Sequence, residues 1–237
     1  MNTKLIRLSL AGLATMILSA CETPEDRQLA SAQDCIDFAR TAGDADRCYA
    51  LVDGLDNEKA YLIRCSANYI AQGFTGERMA SAFQRLKDGN GGGQSPMATA
   101  MAYLVFSNNS SVHSVDSAVL NCTRSGVRSM QRLVTMSKLA TFITQTGLGG
   151  TIPANANPLD PSFDPATIQN AITNLAGTGT VDDKKNVGNI ALQMNDAYCS
   201  PGSSFTGNEI CLKLGDAIST GSGDAQAIGE QLLALLQ

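Results

Sequence analysis

Apolar positions recur at three- and four-residue spacings along most of this chain, and the strict alternation of a half-buried strand is scarce. Leu62, Cys65 and Tyr69 make one stripe, and Ile63, Ala67 and Ile70 another. Val187, Ile190, Ala191, Met194 and Tyr198 make a third. The pattern predicts helices over 28–42, 45–55, 57–72, 76–88, 96–107, 112–125, 127–146, 182–199, 207–219 and 224–236. Glycine and proline punctuate them. Gly43-Asp44 reads as a turn, residues 89–96 (GNGGGQSP) as a break, and Thr178–Asp183 as a shorter one. Pro96 suits the first turn of the helix that follows. The fold class predicted is all-α, a helical-hairpin array or bundle.

Residues 147–166 (GLGGTIPANANPLDPSFDPA) contain four prolines and no helical period. A loop of this length is usually functional or a linker. The organisation expected is therefore an N-terminal helical domain over 29–146, a Pro/Gly/Asn-rich loop over 147–165 and a C-terminal helical segment over 166–237.

A faint repeat is present. Cys35 to Gly43 and Cys65 to Gly73 share one spacing, and Asp46-Arg47-Cys48 to Leu55 matches Glu77-Arg78-Met79 to Leu86 at an offset of 31. Phe74-Thr75-Gly76-Glu77 recurs around Phe205 to Glu209. Such a period is one helix-turn-helix unit. Tyr69, Gly73, Ala80 and Phe83 loosely resemble tetratricopeptide or Sel1-type units, which implies a hairpin array.

The chain opens differently. Lys4 and Arg7 precede an uncharged run from Leu8 to Ala20, 13 residues long. A membrane-spanning helix needs about 20; this is the size of a signal-peptide core. The run ends in Leu18-Ser19-Ala20-Cys21, which resembles the lipobox of bacterial lipoproteins. The resemblance implies that 1–20 is a signal peptide and that Cys21 becomes a lipidated N-terminus, carrying diacylglyceryl and amide-linked chains such as palmitate. It also implies a partner, the membrane itself. In many Gram-negative bacteria an Asp after the lipidated Cys retains the protein in the inner membrane. Glu22 stands there, so the implied location is the outer membrane, facing the periplasm. Residues 21–28 read as a lipidated, polar tether.

The full chain has 237 residues, with 17 Lys+Arg and 22 Asp+Glu for a net charge of −5. Loss of Lys4 and Arg7 with the leader leaves 15 basic against 22 acidic residues, a balance of −7. Such a surface does not neutralise phosphates, so no nucleic acid is expected as partner. Nor does it favour lying down on anionic lipid.

Export places the domain where disulfides persist. Apart from Cys21 there are Cys35, Cys48, Cys65, Cys122, Cys199 and Cys211. Cys35 and Cys48 are nearly equidistant from the Gly43-Asp44 turn, as in an antiparallel helix hairpin. Cys199 and Cys211 flank Pro201-Gly202, and Thr206 with Glu209 resembles a capping box that starts a helix. Cys65 and Cys122 remain as a longer-range pair. With no Cys-x-x-Cys and a single His, no metal site is expected.

Other candidate chemistry is sparse. The glycines of 89–93 lack the Gly-Lys-Ser/Thr of a phosphate loop, and no strand precedes them. His113, near a helix start, reads as a surface or capping residue. No Gly-x-Ser-x-Gly elbow occurs, so no Ser-His-Asp site is expected. Asn155, Asn157, Asp160 and Asp164 offer hard oxygen ligands for Ca²⁺, yet their spacing is not an EF-hand and Asn and Asp beside Pro are ordinary turn residues. Met130, Leu133, Val134, Met136 and Ile143 read as a central helix buried on most sides. Leu232-Leu233-Ala234-Leu235-Leu236 reads as a docked last helix. The function expected is an envelope lipoprotein acting as a helical scaffold or protein-interaction adaptor, not an enzyme and without a cofactor. The alternative is a small-ligand or Ca-binding module using the 147–166 loop.

Overall fold

The structure, a computed structural model, describes residues 23–76, 98, 101–107, 110–157, 160, 162–199 and 209–237. Residues 77–88 of the helix expected over 76–88, the glycines of 89–93, residues 96, 97, 99 and 100 of the helix expected over 96–107, Thr206 and Cys21 lie outside these residues, as do the halves of the repeat that fall there. Among the described residues the fold is all-helical, with nine α-helices and no strand. They are α1 (Pro24–Phe38), α2 (Ala42–Ala50), α3 (Glu58–Ala71), α4 (Val115–Arg124), α5 (Arg128–Gly147), α6 (Ala166–Thr178), α7 (Val181–Tyr198), α8 (Glu209–Thr220) and α9 (Ala225–Leu236). A single 3₁₀ turn, Ala154–Ala156, interrupts the loop before α6.

Side-chain caps decide where these helices begin. Thr23, Thr41 and Thr180 each accept a hydrogen bond from the amide three residues on, and the carboxylates of Asp26, Asp44 and Asp183 each accept one from the cap residue's own amide. Asn57, Ser114 and Asp224 cap α3, α4 and α9 through Ala60 N, Ser117 N and Ala227 N.

Two expectations are corrected by the first two boxes. The polar run expected as a tether as far as Gln28 is helical from Pro24, because Thr23, Asp26 and a proline at the first helical position form a complete start signal. The turn expected at Gly43-Asp44 lies at 39–41 instead, since Thr41 and Asp44 start α2 at Ala42 and carry Gly43 into the helix. The segment just after the long loop folds as α6.

Three disulfides staple the array. Cys35–Cys48 joins α1 to α2 with Cα atoms 5.5 Å apart, and Cys65–Cys122 joins α3 to α4 at 4.8 Å. Cys199–Cys211 joins the end of α7 to α8 at 5.4 Å. Cys35–Cys48 and Cys199–Cys211 are the pairings that the cysteine spacing predicts, and Cys65–Cys122 is the pair it leaves over.

The helices pack mainly on their sequence neighbours from α1 to α4, while α5 contacts α4, α6 and α7. No residue of α5 from Met130 onward is exposed. Its N-terminal half supplies Val134 to a cluster with Cys65, Tyr69, Phe106, Ala118 and Cys122. Its C-terminal half supplies Leu139, Ala140 and Ile143 to the largest cluster, with Ile168, Ile172, Met194, Leu214, Leu232 and others. The apolar core therefore runs across the 147–165 segment. A smaller cluster of Leu29, Ala32, Val52, Ala60 and Ile63 holds α1 and α2 on α3.

α7 and α9 meet backbone to backbone. A Cβ on Gly188 would stand 1.7 Å from the Ala225 carbonyl oxygen, and one on Gly229 would stand 1.9 Å from that of Lys184. Only hydrogen fits at either position. Leu232, Leu233 and Leu236 are fully buried, so the last helix is docked as its sequence predicts.

Candidate functional site: a buried polar network around His113

His113 lies in the turn that precedes Ser114, the cap of α4. It is 2% exposed, which corrects the expectation of a surface or capping residue. Three side chains from two helices converge on the ring. From α2, Asp46 Oδ1 lies 2.9 Å from Nε2. From α3, the Asn68 side-chain amide lies 2.9 Å from Nδ1. Tyr49 of α2 packs edge-on, with ring centroids 5.7 Å apart.

The neighbours of Asn68 fix the proton's place on the ring. With its nitrogen toward His113, Asn68 donates to Val112 O (3.0 Å) and to Nδ1, while its oxygen accepts from Ala118 N and Asn121 Nδ2, both at 3.1 Å. The opposite orientation would set oxygen against acceptors and nitrogen against donors. Nδ1 is therefore an acceptor, and Nε2–H donates to Asp46.

The network continues through Gln72. Its Nε2 donates to His113 O at 2.8 Å, and its Oε1 accepts from Ser107 N at 2.8 Å. Ser107 Oγ donates to Asn157 Oδ1 at 2.8 Å. Thus α3, the segment before α4 and the long loop are laced together through groups that would be costly to bury alone. Arg64, also buried, donates to the carbonyls of Val52 and Leu55 and holds the α2–α3 connection.

The loop residues considered for Ca²⁺ engage their own surroundings. Asn155 Nδ2 donates to Thr167 Oγ1 and Asn155 O accepts from Asp164 N. Asp164 Oδ1 accepts from Ala166 N. Asp160 Oδ1 accepts from both Ser162 N and Ser162 Oγ, and these bonds hold its carboxyl below the usual range. Among the described residues no three His, Cys, Asp or Glu side chains converge as a metal-binding group.

An apolar cleft of about 230 Å³ opens between α3 and α5, lined by Ser66, Tyr69, Ile70, Phe74, Met130 and Leu133. Tyr69 donates to or accepts from Ser137 Oγ at 3.1 Å and stacks edge-on with Phe74 and Phe106. Burial pushes its phenol far above the ordinary value.

Chemically, both nitrogens of the His113 ring are engaged, and what the network does is tie α2, α3 and α4 together. Spacing alone hides this. Asn68 sits between Ala67 and Tyr69 on the buried flank of α3, and only its place three residues after Cys65 hints that it faces inward. No protein-family model, curated protein or solved structure matches the chain. No described helix is long and apolar enough to cross a membrane.

Proposed function

We propose that this chain is a lipid-anchored protein of the bacterial cell envelope, whose stapled helical body serves as a scaffold or protein-interaction adaptor. The observation that carries the reading is the division of its cysteines. Six pair within the body, a chemistry suited to an oxidising compartment. The seventh, Cys21, closes the lipobox-like run Leu18-Ser19-Ala20-Cys21. Fatty chains on that sulfur would supply about 0.8 kcal/mol per buried CH₂, and two or more chains anchor stably. With Glu22 next in sequence, the outer membrane facing the periplasm is the favoured location. The supporting argument for an adaptor is the N-terminal array itself: from α1 to α4 the helices stack mainly in sequence order, which offers extended lateral surface.

The anchor is tested by mass. Native protein extracted from membranes should begin at Cys21 with acyl mass, and Cys21→Ser should move it to the aqueous phase of a detergent partition. A chain beginning at Met1 without acyl mass rejects the reading. The adaptor role is tested by crosslinking in intact cells. One protein should be recovered in near-stoichiometric yield with the full chain and lost when only the leader and anchor are expressed.

A further inference from the structure

We propose that His113 is an acid-sensitive latch: its neutral ring fastens the start of α4 to α2 and α3, and a second proton on the ring releases that junction.

Histidine is the side chain that ordinarily changes charge between pH 5 and 8, and this chain has a single one. In the neutral ring Nδ1 accepts from Asn68 and Nε2–H donates to Asp46. A second proton turns Nδ1 into a donor, and it then meets the Asn68 nitrogen, also a donor, at 2.9 Å. Asn68 cannot turn over without loss. Its oxygen would face Val112 O at 3.0 Å, and its nitrogen would face Ala118 N and Asn121 Nδ2 at 3.1 Å. One hydrogen bond is regained and three are given up. Asn68 is fully buried and His113 nearly so, and solvent does not reach in to replace the lost partners.

The charges around the ring do not reverse this balance. From α2, Asp46 faces the ring and Tyr49 packs edge-on to it. Arg64 of α3 stands beyond, 5.8 Å over the Tyr49 ring, and Asp116 of α4 lies 3.8 Å from Lys138 of α5. The nearer groups of α3 and α4, Asn68, Gln72 and Asn121, are uncharged amides. Asp46 is 64% exposed, so water and salt screen its attraction for a charged ring. It also accepts from Nε2–H whichever charge the ring carries, so the second proton adds no bond there. In the unfolded chain the ring faces water and takes that proton freely. The latch is therefore closed at pH 8 and weakens as pH falls through the ordinary histidine range.

Two disulfides confine the release. Cys65–Cys122 keeps α3 on α4, and Cys35–Cys48 keeps α1 on α2. What comes free is the turn before α4, with its bond from Gln72 Nε2 to His113 O and its contact with α2. Acid thus opens one edge of the array, between α2 and the start of α4, while the body stays folded.

The test uses the full protein labelled with nitrogen-15 histidine. At pH 8 its spectrum should show a bare Nδ1 and a protonated Nε2; a proton on Nδ1 overturns the proposal. Hydrogen exchange of amides 113–118, corrected for intrinsic rate, is then compared at pH 8 and pH 5. Protection should fall about tenfold in the parent and stay level in His113→Gln. Asp26 and Asp44 do not mimic this, since both carboxyls are held below 3.8 and keep their charge across the window. Asp46→Asn carries the test if His113→Gln does not fold: it keeps an acceptor for Nε2–H, and the fall should persist or steepen. A parent whose protection stays level, or a fall of equal size in His113→Gln, overturns the latch. So does protection that rises in acid, or a fall that vanishes in Asp46→Asn, because either result assigns the response to the carboxylate.

Discussion

Gly188 and Gly229 face each other where α7 crosses α9, each lying against the other helix's backbone so closely that the crossing is made by main chain. Replacing Gly188 with Ala would drive a methyl into the Ala225 carbonyl, and a rigid carbonyl cannot rotate away as a side chain can. The helices must separate, opening the cluster that holds Leu232 and Leu233. Overpacking of this kind costs about 3 kcal/mol, or roughly 6–12 °C of melting temperature for a chain of this size. Gly177→Ala is the control: it lies on α6 with nothing within 4 Å of its added Cβ, and should be neutral or stabilise by up to about 1 kcal/mol. Thermal melts of the two variants would refute the close-crossing account if they moved together.

The network around His113 makes an asymmetric prediction. His113→Ala leaves the buried Asn68 amide facing a cavity and should cost about 2–4 kcal/mol. Asp46→Asn removes the other partner of the ring, but Asp46 is 64% exposed, so its loss should cost under about 1 kcal/mol. Chemical denaturation measures both. An Asp46→Asn penalty as large as that of His113→Ala would mean that the hydrogen bond to Asp46, and not the buried amide, holds the ring.

Acid should weaken the first two helix starts. Hydrogen bonds from Thr23 hold the Asp26 carboxyl below its ordinary value of 3.8, and bonds from Arg40 N and from Thr41 do the same for Asp44. A depressed folded-state value means that the stabilisation is fully present above pH 4 and is lost as pH falls through and below it. Asp26→Asn with Asp44→Asn should therefore be less stable than the parent at neutral pH and equal to it near the acid end of a pH series. A stability gap that persists unchanged in acid would show that the carboxylates' charge is not what caps α1 and α2.

The three disulfides should differ in worth according to the chain they enclose. Cys65–Cys122 spans 57 residues and Cys199–Cys211 spans 12. Loop-closure entropy predicts that removing the first costs about 1.4 kcal/mol more than removing the second. Paired Cys→Ala variants, compared by denaturant midpoint, check this, and the reverse order would show that local packing outweighs chain entropy at these sites.

The helical stripes and the cysteine spacing made much of this fold readable before any coordinates. The stripe from Val187 to Tyr198 predicted α7 to within a residue, because one face of that helix meets the core throughout. The Cys35–Cys48 pair was reached although the first turn was misplaced, since equal spacing about a hairpin survives a shift of a few residues, whereas Cys65–Cys122 followed only as the pair left over. The start of α1 was written in Thr23, Pro24 and Asp26, but a charged run beside an anchor reads as a tether until its capping pattern is weighed. The burial of Asn68 and His113 was not legible, because a polar side chain is admitted to a core only when partners from distant segments meet it. The Gly188–Gly229 contact was hidden for a similar reason: glycine is silent in a hydrophobic pattern, and its role exists only between two helices.

The position of α5 has a consequence for dissection of the molecule. One end of this helix completes the cluster behind Cys65 and Cys122, and the other completes the cluster beneath α6, α7 and α9. A cut on either side of it strips a wall from whichever fragment lacks it. Heat and denaturant should therefore meet a single melting unit, with neither half surviving its neighbour as a protease-resistant remnant.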